Sequence, residues 1–269
     1  MTKILPRNIT SYDLIKTLAI MLMLVDHIGF YFFFEDTWWR VFGRMCVPIW
    51  FFLIGYANTR ALDRRFLIGG LILVAGDMIA GLYVFPANIL FTMLIMRFVL
   101  DTVTGAILRG GQQTLWFVAV VALMLTIPSM MIFEYGLQGL TLALFGWFIR
   151  HQGDEQVQKV LGTQAVTQYS LFAFVTFIIL QWVLFGMDVP QFWVLSAGCL
   201  AVFAILMVFK PMEFPGLTAR LGAVSGLIRF TGRRTLEIYV GHLLLFKVLG
   251  MLVDPERFSF LNWTWFYVF

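Results

Sequence analysis

Residues 18–34 read Leu-Ala-Ile-Met-Leu-Met-Leu-Val-Asp-His-Ile-Gly-Phe-Tyr-Phe-Phe-Phe, an apolar run that contains two ionisable residues, Asp26 and His27. With the residues before it, the run is long enough to cross a bilayer as a helix. An ionisable pair deep in such a helix is costly and is typical of a functional site. The alternative is a structural role, in which His27 hydrogen-bonds a neighbouring helix.

The composition of the whole chain is that of a membrane protein. Of its 269 residues, 61% are hydrophobic and 13% are charged, and the mean hydropathy is +0.88. Soluble domains carry about 25% charged residues. We therefore predict an all-α, polytopic bundle that forms one domain over residues 1–269. The two cysteines lie in apolar segments without a metal or disulfide pattern, and no metal site is predicted.

About nine transmembrane helices (eight to ten) are predicted along the chain. Their approximate ranges are 14–34, 40–57, 66–85, 88–108, 114–131, 133–150, 168–187, 190–210 and 233–253. Residues 217–230 are expected to form an amphipathic helix on the membrane surface, and the aromatic tail 258–269 to anchor at the interface. Thr10 and Asp13 have the spacing of a helix-capping box.

The basic residues are distributed unevenly between the predicted loops. With the N-terminus in the cytoplasm, the outer segments hold only Arg40 and Arg257, and the other lysines and arginines in predicted loops face inward. This bias is typical of multi-pass proteins of the inner (cytoplasmic) membrane. It also explains the isoelectric point of about 9.2, so no nucleic-acid partner is needed.

Several further charges fall within predicted spans. Arg44 begins the second span, where it either forms a structural salt bridge with Asp26 or has a catalytic, anion-binding role. Arg40 is expected to extend to the interface. Arg97 and Asp101 are four residues apart on one helix face, and form either a self-neutralising pair or a site in which Arg97 binds an anion such as phosphate.

Two more spans contribute polar candidates. Asp77 lies in mid-span without a local partner and is expected to pair with Arg97 or Arg44. Tyr239 and His242 lie in the last span. His242 is expected to face the bundle interior from the side opposite His27.

Three motifs resemble the TraX family of prokaryotic membrane proteins, which is named for the acetylase of conjugative pilin. They are Asp13-Leu-Ile-Lys16, the run from Met23 to Gly29 around the Asp-His pair, and Gly43-Arg-Met-Cys-Val-Pro48 with the Ile-Trp-Phe-Phe that follows. A weaker Tyr-x-x-His element, formed by Tyr239 and His242, is similar to one in related membrane acyltransferases.

The resemblance implies an acyltransferase that takes an acyl group from cytoplasmic acyl-CoA. Acetyl-CoA is the expected donor, and a glycan, lipid or peptide of the cell envelope the expected acceptor. His27 would be the catalytic base, Asp26 would fix the imidazole tautomer, and Arg44 would stabilise the oxyanion. The candidate substrate-binding residues are Arg97, Asp77, Asp101, Tyr239 and His242. The candidates for the donor phosphates are Arg64, Arg65, Arg233 and Arg234, although the charge bias explains these four equally well.

Two other functions stay open from the sequence. One is a proton-coupled transporter or flippase that uses the intramembrane aspartate, arginine and histidine residues. The absence of an obvious internal repeat counts against it. The other is a structural membrane protein whose charges merely pair with one another.

Overall fold

The computed structural model describes residues 6–266, and most of them are helical. The helices are α1 (Ser11–Phe32), α2 (Trp38–Gly43), α3 (Val47–Tyr56), α4 (Arg64–Ile79), α5 (Ile89–Met130), α6 (Gln138–His151), α7 (Glu155–Val160), α8 (Gly162–Leu184), α9 (Val189–Met207), α10 (Pro215–Leu221), α11 (Ala223–Arg233) and α12 (Thr235–Val253). Short strands form at β1 (Ile9–Thr10), β2 (Tyr83–Phe85), β3 (Glu213–Phe214) and β4 (Thr264–Phe266).

Within the described residues, five helices are long and apolar enough to cross a membrane, namely α1, α5, α8, α9 and α12. Large apolar side chains project from two of these helices, α5 and α12. Phe98, Phe117 and Leu252 are 73%, 68% and 75% exposed. Exposed apolar surface on this scale, on helices long enough to span a bilayer, is typical of a membrane protein. The prediction of a helical membrane protein is confirmed.

Several element boundaries differ from the predicted spans. The span predicted at 40–57 is α2 and α3, joined by a 3₁₀ turn over Arg44–Cys46. The span predicted at 66–85 ends as a helix at Ile79, because the chain turns at Gly81 (φ 72°) and enters β2, which pairs in parallel with β4. Helix α5 covers two predicted spans, and only Gly111 (φ 68°, ψ −156°) departs from helical geometry inside it.

The start of α1 is fixed by the predicted capping box. The Thr10 hydroxyl accepts from the Asp13 backbone N–H, and the Asp13 carboxylate accepts from the Thr10 N–H at 2.9 Å. Arg233, at the end of α11, donates to both oxygens of the same carboxylate at 3.0 Å. Thus α11 is tied to the first turn of α1, which fixes the helix that carries the Asp-His pair.

The bundle centre is formed by α3 against α6. A side chain at Gly55 or Gly146 would collide with backbone atoms of the other helix, so the two glycines permit the close approach that small residues allow in membrane bundles. Phe51, Phe52 and Phe145 are fully buried around this contact. The contact fixes the position of the 3₁₀ turn that carries Arg44.

The predicted surface helix and tail are both structured in part. Residues 217–230 fall in α10 and α11, separated by Gly222. Val224, Leu227 and Phe230 are exposed apolar side chains of α11. The tail contains β4, whereas residues 267–269 lie outside the described part.

Candidate active site

The Asp26 carboxylate is bound by two arginines. Arg40 Nη1 donates to Oδ2 at 2.8 Å. Arg44 Nε forms an ion pair with Oδ1 at 3.2 Å, but the geometry of this contact is not that of a hydrogen bond. The Asp26 side chain is 6% exposed and each arginine 13%. Gly43 makes the approach possible, because a Cβ there would collide with Asp26. Two cations on one carboxylate leave a buried net positive charge.

This arrangement corrects two expectations. Arg40 does not extend to the interface but is drawn inward by the carboxylate. Asp26 is directed at the arginines and not at the imidazole of His27, because neighbours on a helix point about 100° apart. Of the two alternatives for Arg44, the salt bridge with Asp26 is present.

His27 instead pairs with His242. Nδ1 of His27 lies 2.7 Å from Nε2 of His242, and the ring centroids are 4.9 Å apart at an interplanar angle of 21°. The expectation that His242 faces the interior from the opposite side is therefore wrong. Helices α1 and α12 pack together and place the two rings in contact.

With both imidazoles neutral, the hydrogen bonds of the pair fix the two tautomers. Nδ1 of His242 lies 2.6 Å from the Ile238 carbonyl oxygen, which can only accept, so this nitrogen carries the proton. Nε2 of His242 then accepts from Nδ1–H of His27. As a result, Nε2 of His27 has no proton and is free to act as a base.

His27 lies between two cavities. A narrow cavity of about 80 Å³ extends past Trp50, Phe66 and Met93, and a wide cavity of about 520 Å³ extends past Arg40, Asp77 and Lys247. The residues that line both are Asp26, His27, Glu134, Tyr135 and Tyr239. A base that lines two cavities can contact a group bound in either of them.

A second buried ion pair lines the wide cavity. Lys247 Nζ lies 2.9 Å from Asp77 Oδ1 and donates to the Leu73 carbonyl at 3.2 Å. The lysine side chain is 5% exposed. The expectation that Asp77 pairs with Arg97 or Arg44 was therefore wrong.

A family model described as TraX protein matches residues 11–250. The chain belongs to the TraX family. An uncharacterized protein of Rickettsia prowazekii (strain Madrid E) is 29% identical over 150 residues, which are 55% of this chain and 60% of that relative. The chain thus matches less than two thirds of that relative's length. No solved structure matches the chain.

Two other candidate substrate-binding residues of this TraX-family protein, Arg97 and Asp101, have partners other than the histidines. Arg97 and Asp101 do not pair with each other: Asp101 binds Arg60 Nε at 3.0 Å, and Arg97 Nη1 donates to the Ala61 carbonyl at 3.0 Å. The Arg97 guanidinium also stacks over Phe66, a residue of the narrow cavity, at 5.2 Å from the ring centroid. Arg97 therefore lies next to the narrow cavity.

The four arginines suggested for the donor phosphates divide into two groups. Arg65 pairs with Asp63 at 2.7 Å, and Arg233 pairs with Asp13. The hydrogen bonds from Arg65 hold the pKa of the Asp63 carboxyl below its usual range. Arg64 and Arg234 are exposed, and so is Arg65 despite its ion pair. The sequence alone could not show which of the four arginines bind a carboxylate.

Sequence reasoning missed two residues of the shared wall. Glu134 and Tyr135 occupy the turn between α5 and α6 and line both cavities. Glu134 Oε2 accepts from the Ile89 N–H at 2.8 Å, and the Thr92 hydroxyl donates to the Glu134 carbonyl at 2.7 Å. The available signal was a Glu-Tyr-Gly sequence between two apolar runs. In residues 6–266 no cluster of three metal-ligating side chains occurs.

Proposed function

We propose that this protein is a membrane acyltransferase that moves an acyl group, acetyl in the first instance, from acyl-CoA to an amine or hydroxyl acceptor. The observation that carries the proposal is the hydrogen-bonded His27–His242 pair on the wall that the two cavities share, which in its neutral form leaves Nε2 of His27 without a proton. Family membership supports it, since the family is named for a pilin acetylase.

The proposed reaction uses the histidine pair as an acid–base unit. The acceptor proton passes to Nε2 of His27 as the acceptor attacks the thioester carbonyl carbon. The C–S bond then breaks, and the imidazolium returns its proton to the CoA sulfur. His242 accepts a hydrogen bond from Nδ1 of His27 throughout. It therefore orients the ring and stabilises its cation, in the role that an aspartate has in a catalytic triad.

The membrane topology belongs to the same proposal. We place the N-terminus in the cytoplasm and count nine spans in the inner membrane, as the distribution of basic residues favours. The narrow cavity, lined by Phe66 and Thr235 near the first turns of α4 and α12, then opens to the cytoplasm and receives the donor. Arg97, stacked on Phe66, binds a donor phosphate there.

The acceptor enters the wide cavity from the opposite side under this topology. An envelope glycan, lipid or peptide amine is the proposed acceptor class. In the same arrangement α11 lies on the inner membrane surface with Val224, Leu227 and Phe230 in the lipid, and the aromatic tail anchors the outer side.

One observation favours a proton-coupled transporter as the second candidate. The Asp77–Lys247 pair lies in the wall of the same wide cavity as the histidines, and titratable chains of this kind form proton relays in transporters. The transporter predicts a proton flux that depends on Asp77 and does not require acyl-CoA.

The proposed function is tested with purified protein in lipid nanodiscs and radiolabelled acetyl-CoA, with glycinamide as a small primary-amine acceptor. We expect release of CoA together with labelled acetylglycinamide, above the rate without protein. Acetyl-pantetheine, which lacks the nucleotide phosphates, is expected to require a higher concentration for the same rate. Absence of turnover combined with proton flux in proteoliposomes would replace the acyltransferase with the transporter.

A further inference from the structure

Tyr135 has a hydroxyl proton that its closest partner cannot accept. Arg44 Nη1 lies 2.5 Å from Tyr135 Oη. A guanidinium offers only N–H donors, so the phenol oxygen accepts this hydrogen bond. Its own O–H remains available to a second partner and is polarised by the positive charge behind it. The Arg44 guanidinium also lies over the Tyr135 ring, 5.5 Å from its centroid.

The position of Tyr135 is held by its surroundings. Its backbone has φ 65°, a left-handed conformation that is uncommon for a bulky side chain and is concentrated at functional sites. The Thr92 hydroxyl fixes the preceding carbonyl, and the Ser129 hydroxyl accepts from the Leu137 N–H at 2.9 Å. The ring packs edge-on against Phe51, with centroids 5.7 Å apart.

The same residue lines both cavities together with His27. A thioester bound against this wall is therefore lined by both a base and a hydrogen-bond donor. Acyl transfer needs both, since the acceptor loses a proton while negative charge builds up on the carbonyl oxygen.

We propose that the Tyr135 hydroxyl is the hydrogen-bond donor to the oxyanion of the tetrahedral intermediate, and that Arg44 acts through it as a positioning residue. This inference rests on the proposed acyl transfer. No covalent bond to Tyr135 forms or breaks. The hydrogen bond from its O–H to the carbonyl oxygen shortens as the acceptor adds, and lengthens when the C–S bond breaks. Arg44 keeps its contact with Asp26 and acts on the oxyanion through its hydrogen bond to the phenol.

The proposal is tested with Tyr135→Phe, which keeps the ring and removes the hydroxyl. We expect kcat for acetyl-CoA to fall about 10²–10³-fold, as when one oxyanion donor is removed elsewhere. The KM for acetyl-CoA should change little, because the contact is made only in the transition state. The matched control is Tyr169→Phe, which removes a buried hydroxyl that donates to the Thr141 carbonyl at 3.2 Å and is expected to keep the wild-type kcat.

A binding measurement separates this role from a structural one. Trifluoroacetonyl-CoA, a ketone that hydrates to a tetrahedral form, is expected to bind Tyr135→Phe more weakly by about the same factor as the fall in kcat/KM. S-acetonyl-CoA, which stays planar, should bind both proteins equally. Equal weakening of both ligands, or a variant that does not fold, would assign the hydroxyl to structure and overturn the proposal.

The inference and the proposed function fail in different ways. If wild-type protein turns over acetyl-CoA and Tyr135→Phe keeps kcat within about threefold, the oxyanion role is wrong and acyl transfer stands, since loss of a donor costs far more. If wild-type protein does not turn over acetyl-CoA, both are overturned.

Discussion

Replacing His27 with alanine is expected to lower the rate of acetyl transfer by about 10²–10⁴-fold, the range for loss of a general base. In the neutral pair, the substitution removes the one unprotonated nitrogen that is not already a hydrogen-bond acceptor within the pair, since both nitrogens of His242 are engaged with Ile238 and His27. The measurement is the rate of CoA release from acetyl-CoA by purified protein in nanodiscs.

His151→Ala is the matched control for this variant. His151 is also a histidine in a helix, but its imidazole binds Asp154 at 2.6 Å at the end of α6, away from both cavities. We expect its rate to equal that of the wild type. A folded His27→Ala protein with wild-type turnover would remove His27 from the reaction.

Replacing Asp26 with asparagine is expected to lower the free energy of unfolding by about 3 kcal/mol, within the range for breaking a buried ion pair. The change leaves the guanidinium groups of Arg40 and Arg44 without their shared counter-charge in a site where each side chain is 13% exposed. Unfolding in mixed micelles of increasing denaturing-detergent content measures the loss.

Asp63→Asn is the control for the aspartate. It removes a carboxylate whose partner, Arg65, is 71% exposed, and exposed ion pairs contribute about 0–1 kcal/mol. An Asp26→Asn protein as stable as the Asp63→Asn protein would contradict the view that Asp26 holds α2 and the 3₁₀ turn against α1.

The sequence identified the residues of the site better than it identified their partners. Asp26 and His27 stand out because charge inside an apolar run is costly, and this argument needs one segment only. Their partners come from other segments: Arg40 and Arg44 from the α2 region and His242 from α12. Which side chains meet depends on helix rotation and tilt, and hydropathy does not contain this information.

The pairs Asp77–Lys247 and Arg60–Asp101 were missed for a related reason. Spacing within one helix suggested Arg97 with Asp101, because residues four apart share a face. In the structure Arg60, from the loop after α3, reaches Asp101 and also caps the carbonyls of Ile54, Gly55 and Ala57. A loop arginine that donates to the free carbonyls at the end of one helix can thus also bind an acidic side chain on a second helix.

The turn that carries Glu134 and Tyr135 shows a second limit. In the sequence it is a polar break between two spans, and such breaks normally lie in water. Here the turn lies against the first residues of α5, where Glu134 accepts from the Ile89 N–H. Its position is set by packing of α5 and α6, so only the structure could place Tyr135 on the cavity wall that His27 also lines.

The most direct test of the account compares CoA release by four proteins: wild type, His27→Ala, His242→Ala and the double variant. If the two histidines act as one acid–base unit, wild-type protein turns over acetyl-CoA, His242→Ala is slower, and the double variant is no slower than His27→Ala. A wild-type protein without turnover, or losses from the two substitutions that multiply independently in the double variant, would contradict the account.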